Sequence, residues 1–451
     1  MRLHANHLAV LNRLLRPAST RAEIVEFQTA AFVRLVAHAY ENVPYYRRLF
    51  DKAGVAPRHI RSLADLERIP LTSKDDLRAV PVEDTVARGV DPERLQSIRT
   101  SGATGRPFTI RHTRIEQRLA VLFPFRAFRH YGLRAGDRRA GVAYLHGSRT
   151  RTFHQRVINA FGVHRRLVLD CRQPHSEILA ALRRFRPDVL GGYAGTLARL
   201  AEVATEEDRR AIRPRFITSS SEVLTPLMRT RITEAFGGRV YDAYGCHELH
   251  MTAWECKKTG ELHVCEEGVI VEVLKDGRPA LPGEQGELVG TNLYSFAMPF
   301  IRYRSGDAVT RGRETCACGR VCSTLSGVVG RMLDYFPLPD GRWFHPYHIA
   351  NVLIETARWV QNYEVVQERM DRIVLRVVPF HQPSQEELAR FVNAVTPLLG
   401  PTVKFEVAFV PEIPMGPGGK FRLARSLVHD GYYADRNASP PGACAPSPGN
   451  P

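Results

Sequence analysis

Strands and helices alternate along the middle of the chain, and this alternation constrains the fold more than any other feature. In PDVLGGYAGTLARLAEVA, a short strand at residues 188–190 is followed by a helix from Thr196. In RFITSSSEVLTPLMRTRITEAFG, a strand and a polar loop precede a helix that begins at Pro226 and is closed by Gly237 and Gly238. Such alternation predicts an α/β fold with a largely parallel sheet.

The pattern changes in the second half of the chain. From about residue 268 it predicts strands without long helices. After Gly330 a smaller unit follows, and its periodicity predicts two helices and two strands. The helices are expected at residues 346–358 and 384–399, and the strands at 372–378 and 404–409.

These segments predict two domains and a tail. The chain has 451 residues, which is more than a single hydrophobic core usually supports. We expect a large N-terminal α/β domain with a β-rich part over residues 1–330 and a small α+β domain over residues 331–436. Residues 437–451 are rich in proline and glycine, and we expect this tail to be disordered.

The composition indicates a soluble enzyme rather than a membrane or nucleic-acid-binding protein. No apolar run approaches the ~20 residues that cross a bilayer, and the N-terminus lacks the cleavage site of a signal peptide. We therefore expect a cytoplasmic protein with no membrane partner. The net charge of +16 comes mostly from arginines scattered along the chain. An anionic small substrate or an arginine-rich composition explains this charge, so we expect no nucleic-acid partner.

A loop rich in glycine and hydroxyl groups lies between two β-prone stretches in SIRTSGATGRPFTIRHT, residues 97–113. Its backbone N–H groups and hydroxyls can surround an anion, and Arg106 adds a positive charge. The residues concerned are Thr100, Ser101, Gly102, Thr104 and Gly105. The spacing differs from that of the commonest phosphate loop, GxxxxGK followed by Ser or Thr. The loop alone leaves an anion site and a plain hairpin turn equally open.

Five of the eight cysteines form two clusters. These are Cys256 with Cys265, and Cys316 with Cys318 and Cys322. In a cytosolic chain such clusters indicate a metal site before a disulfide. Cys256, His263, Cys316 and Cys318 supply the four donors of a closed, structural zinc site. The β-rich stretch between the clusters would bring them together as a returning meander. Cys265 or Cys322 is an alternative ligand, and buried thiols without a metal are the alternative to the site.

Six short segments follow one another in a familiar order. They are TSGATGRP (100–107), SSSEVLT (219–225), YDAYGCHE (241–248), YRSGD (303–307), GRMLD (330–334) and GPGGKFR (416–422). Their order resembles the core motifs of adenylate-forming enzymes. The segments HAYENVPYYRRLFDKAGV and SLADLERIPLTSKDDLRA resemble the phenylacetate–CoA ligase branch, and ECKKTGELHVCEE and CACGR resemble its CapK-like members. The resemblance covers nearly the whole chain apart from the tail.

The resemblance implies an AMP-forming acid ligase with a mobile C-terminal domain. A carboxylic acid, expected to be aryl or arylacetic, would react with ATP to give acyl-AMP. The acyl group would then pass to coenzyme A after rotation of the small domain. An amine or a carrier-protein thiol is the alternative acceptor, and a non-catalytic basic zinc protein is an alternative of another class. The oligomeric state, a homodimer included, is left open.

The resemblance also implies a nucleotide site. Its residues would be Ser220, Ser221, Glu222, Asp242, Tyr244, Gly245, Asp307 and Arg331. Tyr244 would pack on the adenine ring, and Asp242 would accept from its amino group. Asp307 would accept hydrogen bonds from both ribose hydroxyls. Arg331 would begin the linker to the small domain, where Leu333 stands in the place of the usual charged hinge residue.

Four residues are implied to act on the phosphates. The loop from Thr100 to Arg106 would cradle the β- and γ-phosphates, with Thr104 donating and Arg106 neutralising charge where relatives usually carry lysine. Glu248 would hold Mg²⁺, which prefers carboxylate and phosphate oxygens. Lys420 would contact the substrate carboxylate and the α-phosphate during adenylation.

Overall fold

The structure, a computed structural model, describes residues 4–100, 108–145, 165–331, 335–344, 346–357, 359–414 and 423–428. The helices are α1 (Ala5–Leu15), α2 (Arg21–Asn42), α3 (Pro44–Lys52), α4 (Lys74–Arg78), α5 (Val82–Thr85), α6 (Arg114–Tyr131), α7 (His175–Phe185), α8 (Ala194–Val203), α9 (Glu206–Ala211), α10 (Pro226–Phe236), α11 (Tyr347–Thr356) and α12 (Gln385–Leu399). Short 3-10 helices lie at Pro57–His59, Leu63–Arg68 and Pro92–Arg94.

The first ten strands are β1 (Gln96–Thr100), β2 (Phe108–His112), β3 (Arg139–Ala143), β4 (Arg166–Asp170), β5 (Val189–Tyr193), β6 (Phe216–Ser220), β7 (Arg239–Cys246), β8 (His250–Glu255), β9 (Leu262–Val264) and β10 (Val269–Lys275). The others are β11 (Arg278–Pro279), β12 (Gln285–Asn292), β13 (Tyr303–Arg311), β14 (Thr324–Arg331), β15 (Phe336–Pro337), β16 (Trp343–Phe344), β17 (Val360–Arg369), β18 (Arg372–Pro379), β19 (Lys404–Phe409) and β20 (Ala424–Ser426).

A sheet of twelve described strands runs through the larger part of the molecule. Its order is β11-β10-β12-β13-β14-β9-β8-β7-β6-β5-β3-β4. Strands β3 to β7 are parallel, and every pairing from β7 to β11 is antiparallel. This mixed sheet confirms the predicted α/β class and the predicted β-rich part.

Helix α10 shows how the sequence sets these elements. The Thr225 side chain accepts from the N–H of Met228 at 3.2 Å, and Pro226 occupies the first turn, where its missing N–H has no helical partner to lose. Gly237 ends the helix at φ 74°, a conformation that glycine adopts without strain. The helix therefore begins and ends where the sequence predicts.

Two hydrophobic cores pack on the twelve-stranded sheet. One lies against the antiparallel strands and contains the apolar face of α2, including Phe32, Leu35 and Val36. The other lies between the parallel strands and helices α7, α8 and α10. Among the described helices, none has both the length and the apolar character needed to cross a bilayer.

A third core belongs to the C-terminal unit. Strands β19-β18-β17-β20 form a separate four-stranded sheet, and α11 and α12 contribute Leu353, Phe391 and Val395 to its core. Both helices and both strands expected here are present with nearly the predicted bounds. The short strands β15 and β16 and the strands β17 and β20 are additional to those the sequence predicts. Helix α10 of the larger part lies against α11 of this unit.

Candidate functional site

Tyr244 and Asp307 meet although their strands lie apart in the sheet. Strands β7 and β13 are separated by three others, which in a flat sheet would place them roughly 19 Å apart. The Tyr244 hydroxyl nevertheless donates to Oδ2 of Asp307 at 2.7 Å. Ladder irregularities at 244/245 and 308/309 lie beside both residues, and such irregularities bend strands. The sheet therefore curls and brings two predicted nucleotide residues together.

Asp307 is held within a buried setting. It is 6% exposed, and its backbone N–H donates to Oγ of Ser305 at 3.1 Å. Its ladder partner is Arg331, the last residue of β14. Burial and the neighbouring Asp307 raise the pKa of Tyr244 well above its ordinary value, so the phenol remains a donor. The ribose and linker motifs are thus adjacent.

Glu248 lies buried in a charged and hydrogen-bonded setting. It is 4% exposed, and its Oε1 accepts from the Tyr303 hydroxyl at 2.9 Å. The Lys74 Nζ atom lies 3.3 Å from the same oxygen. The Asn292 side-chain amide donates to the Glu248 carbonyl at 3.1 Å. A carboxylate desolvated to this extent needs a positive partner, which Lys74 provides here.

Asp242 lies in a network that favours its neutral form. Burial and the charge of Glu255 raise the pKa of Asp242 to about 7, opposed by Arg229 and by the hydrogen bond from the Ala243 N–H. The Asp242 N–H donates to Oε2 of Glu255 at 2.8 Å. Arg229 donates to both oxygens of Glu255, at 3.1 and 2.8 Å. Asp242 therefore holds a proton more tightly than an ordinary aspartate does.

The SSSE segment lies at the carboxyl end of β6, next to the ends of β5 and β7. Ser220 ends the strand, and Ser221 has a φ of 69°, which is uncommon for a residue with a side chain. Glu222 accepts from the Gly195 N–H at 2.7 Å, which ties the segment to the start of α8. The carboxyl ends of parallel strands are where α/β sheets bind ligands.

Gly245 allows a close approach of two backbones. A Cβ atom at this position would overlap the carbonyl of His250 on β8. The glycine therefore lets the hairpin from β7 to β8 close tightly around the segment that carries Glu248.

The remaining predicted phosphate residues lie outside the described part of the chain. They are Ser101, Gly102, Thr104, Gly105, Arg106 and Lys420, and Leu333 of the linker also lies outside it. Thr100 is the last residue of β1 and pairs with Phe108 of β2 in an antiparallel ladder. The loop thus connects a hairpin, and its anion-binding role stays a prediction.

The four predicted zinc ligands lie together. The donor atoms of Cys256, His263, Cys316 and Cys318 all lie within 4.8 Å of one another. The sulfurs of Cys256 and Cys316 are 3.8 Å apart, and the sulfur of Cys318 is 3.3 Å from Nε2 of His263. Two thiolates on one tetrahedral zinc ion, with bonds of about 2.3 Å, lie about 3.8 Å apart. The set therefore fits zinc.

Chain topology explains how these donors converge. Strand β14 returns after the meander and pairs with β9, with Thr324 opposite His263. Burial and Arg320 lower the pKa of His263 to about 3, so its ring is neutral, as a metal ligand must be. Burial resists ionisation of Cys256, but hydrogen bonds from Thr259 and from the Lys258 N–H bring the pKa of its thiol to about 7.

Cys265 and Cys322 do not belong to this group of donors. Both are buried, and burial raises the pKa of each thiol, that of Cys322 to about 12. The charged groups near both thiols include Glu266 and the ion pair of Arg126 with Glu267. They are therefore buried, protonated thiols.

Sequence reasoning missed Lys74, Tyr303 and the pair of Arg229 with Glu255. Lys74 lies within TSKDD and Tyr303 within YRSGD, and both segments contribute to the family resemblance. No spacing in the sequence links either residue to Glu248. The isolated bridge between Thr72 and Tyr303 brings the two segments together. Only this long-range contact reveals their role.

Known proteins resemble the chain over most of its length. A family profile described as the CapK C-terminal domain matches residues 338–426. Phenylacetate–coenzyme A ligase of Escherichia coli (strain K12) is 32% identical over 338 residues, covering 72% of this chain and 76% of the relative. Phenylacetate–coenzyme A ligase of Thermus thermophilus is 28% identical over 459 residues, covering 90% of this chain and 97% of the relative.

A solved structure resembles the chain in two states. 2-Hydroxyisobutyryl-CoA ligase in the postadenylation state has a TM-score of 0.76 at 25% identity, covering 93% of this chain and 94% of its own. The same enzyme with 2-HIB-AMP and CoA in the thioesterification state has a TM-score of 0.62 at 26% identity, covering 93% and 92%.

Proposed function

The chain belongs to the phenylacetate–coenzyme A ligase family, and on this premise we propose which acid it takes and how its residues act. The protein is an AMP-forming acid–CoA ligase. The acid carboxylate attacks the α-phosphorus of ATP and pyrophosphate leaves. The sulfur of CoA then attacks the acyl carbon, forming the thioester and releasing AMP. We propose that the acid is aryl or arylacetic, which the names of the sequence relatives support.

The observation that best supports this function is the junction of Tyr244 with Asp307. A carboxylate offers about four acceptor positions, so Asp307 can accept from two ribose hydroxyls as well as from Tyr244. The Tyr244 ring is fixed by this bond, and we propose that adenine packs on it. Both groups are in place before the nucleotide arrives, which lowers the entropic cost of binding.

Asp242 is proposed to recognise the adenine amino group. In the parallel ladder between β6 and β7 it pairs with Ser219, one position before the last pair of Ser220 with Ala243, so it lies beside the SSSE segment. An ionised carboxylate accepts from an amino group more strongly than a neutral one. With a pKa of about 7, Asp242 would make this stronger bond mainly above neutral pH.

Glu248 is proposed to hold Mg²⁺ together with phosphate oxygens of ATP. Mg²⁺ is commonly bound by one or two carboxylates plus substrate phosphates, and a single buried carboxylate fits that pattern. When bound, the ion neutralises phosphate charge. Lys74 lies on Oε1 of Glu248, so we propose that its ammonium balances this carboxylate in the nucleotide-free enzyme.

The phosphate loop and Lys420 complete the proposed adenylation site. The loop of Thr104 and Arg106 would cradle the β- and γ-phosphates, and Lys420 would neutralise the substrate carboxylate and α-phosphate as these anions approach. Both assignments rest on the order of the sequence motifs. We propose a large domain over residues 1–330 and a small domain over residues 331–436, and the separate C-terminal core supports this division.

A structural zinc ion is proposed at Cys256, His263, Cys316 and Cys318. Four protein ligands leave no open position, so the ion would stabilise the fold rather than take part in the reaction. It would join the hairpin of β8 and β9 to the loop between β13 and β14. Strands β13 and β14 form a hairpin, and Asp307 lies near the end of this hairpin that is opposite to the loop.

The function is tested by following pyrophosphate release with a panel of aryl, arylacetic and short aliphatic acids, with and without CoA. Mass detection of acyl-AMP and of the thioester identifies each half-reaction. We expect acyl-AMP without CoA and thioester with it, from aryl or arylacetic acids. Turnover of aliphatic acids alone would overturn the proposed acid class. Acyl-AMP that accumulates without thioester in the presence of CoA would overturn CoA as the acceptor.

A further inference from the structure

Arg231 on α10 connects the larger part of the molecule to the C-terminal sheet. Its Nη1 donates to the carbonyl of Gln361 at 2.6 Å, and its Nη2 donates to the carbonyl of Val360. Both acceptors lie at the start of β17. The Arg231 guanidinium also lies 4.9 Å from the ring centre of Phe380, which follows β18. One side chain thus contacts three residues of the C-terminal unit.

An irregularity in β17 makes the double contact possible. Successive carbonyls of a regular strand point in opposite directions, so one side chain does not ordinarily bind two in a row. The register between β17 and β18 shifts between Val360 and Asn362, at Gln361. Such a shift re-aims the local backbone, and the planar guanidinium supplies two donors in a fixed fork. The two carbonyls at the start of β17 are therefore placed where the two Nη groups of Arg231 can reach both.

The contact is buried and charge-balanced. The Arg231 side chain is 14% exposed and forms a 2.7 Å ion pair with Glu202 on α8, which is 5% exposed. Arg199, also on α8, binds the other oxygen of Glu202 at 3.0 Å. Glu202 thus keeps Arg231 in place, and two other N–H groups of the guanidinium bind the carbonyls of β17.

Two solved states of 2-hydroxyisobutyryl-CoA ligase indicate which orientation this contact accompanies. The TM-score falls from 0.76 in its postadenylation state to 0.62 in its thioesterification state, at nearly equal identity and coverage. The same chain is compared in both cases, so the two states differ in arrangement rather than in fold. The arrangement that contains the Arg231 contact is therefore the one related to acyl-AMP formation.

We propose that Arg231 is a positioning residue that holds the C-terminal unit in the orientation for acyl-AMP formation and must release β17 before the thioester step. This proposal rests on the two-step acid–CoA ligase reaction proposed above. In this proposal Arg231 contacts neither the substrate nor the nucleotide. Its hydrogen bonds stabilise one orientation only, so they bias the balance between the two half-reactions.

The test compares Arg231→Met with Arg199→Met. Each variant leaves Glu202 one arginine, so neither leaves a buried carboxylate without a positive partner. Single-turnover rates are measured for acyl-AMP from acid and ATP, and for thioester from supplied acyl-AMP and CoA. In R231M we expect the ratio of the acyl-AMP rate to the thioester rate to fall about tenfold or more, because the loss of one charge-assisted hydrogen bond has an effect of this size. In R199M we expect this ratio to stay within about twofold of the wild-type ratio.

A second measurement does not depend on activity. Hydrogen exchange of residues 226–236 and 359–363 is compared in the substrate-free wild type and both variants, and faster exchange in R231M alone is expected. If R231M does not fold, Arg231→Lys replaces it, since lysine keeps the charge but not the fork of donors. Unchanged exchange and an unchanged ratio, or equal changes in both variants, would overturn the proposal. A wild type that forms no acyl-AMP would instead overturn the ligase function, and exchange would still decide on the contact.

Discussion

The Tyr244 hydroxyl and Oδ2 of Asp307 lie 2.7 Å apart, so the residue proposed for the adenine ring and the residue proposed for the ribose form one unit. Tyr244 lies on β7 and Asp307 on β13, and strands β8, β9 and β14 lie between these two strands in the sheet. The curl of the sheet, rather than proximity in sequence, places them together.

Replacing Asp307 should weaken ATP binding. Asp307→Ala removes both proposed ribose acceptors, and we expect a loss of roughly 2–4 kcal/mol in binding free energy, since charge-assisted hydrogen bonds contribute about 1.5–3 kcal/mol each. Calorimetric titration with ATP measures the loss. Tyr244→Phe is the matched control, because it removes the hydroxyl but keeps the ring, and it should cost less. Equal ATP affinity in D307A and wild type would remove Asp307 from the ribose site.

Replacing Lys74 should affect the nucleotide-free enzyme and its response to Mg²⁺ in opposite directions. Lys74→Met leaves the buried Glu248 without its ammonium partner, so we expect a loss of about 1–3 kcal/mol of unfolding free energy. Mg²⁺ in the presence of ATP should stabilise this variant more than the wild type. Thermal melts across a magnesium titration measure both effects. Identical titration curves would show that Lys74 and the ion do not share Glu248.

The pKa of Asp242 predicts a specific pH dependence of stability. The folded-state pKa is about 7 and the ordinary value is 3.8, so between these values the folded protein holds a proton that the unfolded chain has lost. The contribution of Asp242 to stability is therefore present below pH 4 and is lost as the pH rises toward 7. From pH 5 to 8, wild type should lose about 2–3 kcal/mol relative to Asp242→Asn. Denaturant unfolding of both proteins checks this, and parallel pH profiles would contradict it.

Purified protein should contain about one zinc ion per chain. Cys318→Ser should lower both the zinc content and the melting temperature, because metal binding contributes to folding free energy. Cys322→Ser is the matched control, since this thiol is buried outside the group of donors, and zinc should be retained. Elemental analysis after purification without chelators gives the metal content. Protein free of metal under these conditions would favour buried thiols.

Lys420 should act in only one half-reaction. Lys420→Ala should slow acyl-AMP formation by about 10²–10³-fold, the usual effect of removing one preorganised donor. It should still convert supplied acyl-AMP to thioester with CoA, because the rotated small domain would carry the lysine away. Single-turnover assays from each starting point separate the steps, and Lys404→Ala is a control on the same unit, at an exposed ion pair. Equal losses in both steps would show that Lys420 is not specific to adenylation.

Local patterns allowed the zinc donors to be predicted, whereas the partners of Glu248 could not be. Cys316 and Cys318 are separated by one residue, and the number and kind of donors indicate a closed site. Lys74 and Glu248 are 174 positions apart in the sequence, and a bridge between segments with no shared pattern brings them together. Charge pairing of that kind depends on the tertiary fold.

The C-terminal unit also has some features that the local sequence predicts and others that depend on the tertiary fold. The helix at Gln385–Leu399 is predictable from its apolar periodicity, which is a local feature, and the Ser384 cap found in the structure is local too. Strand β20 has three residues and exists only because it pairs with β17. The register shift at Gln361, on which the Arg231 contact depends, leaves no mark in the sequence.

The twelve-stranded sheet also governs how the protein loses its structure. Two cores lie on strands that share one continuous ladder, so melting of either core exposes the hydrogen-bonding edge of the other. We expect both to denature together as one cooperative unit. Among the described strands, the C-terminal sheet shares no ladder with this one, and it has its own core. It can therefore open as an independent folding unit, leaving the nucleotide strands intact.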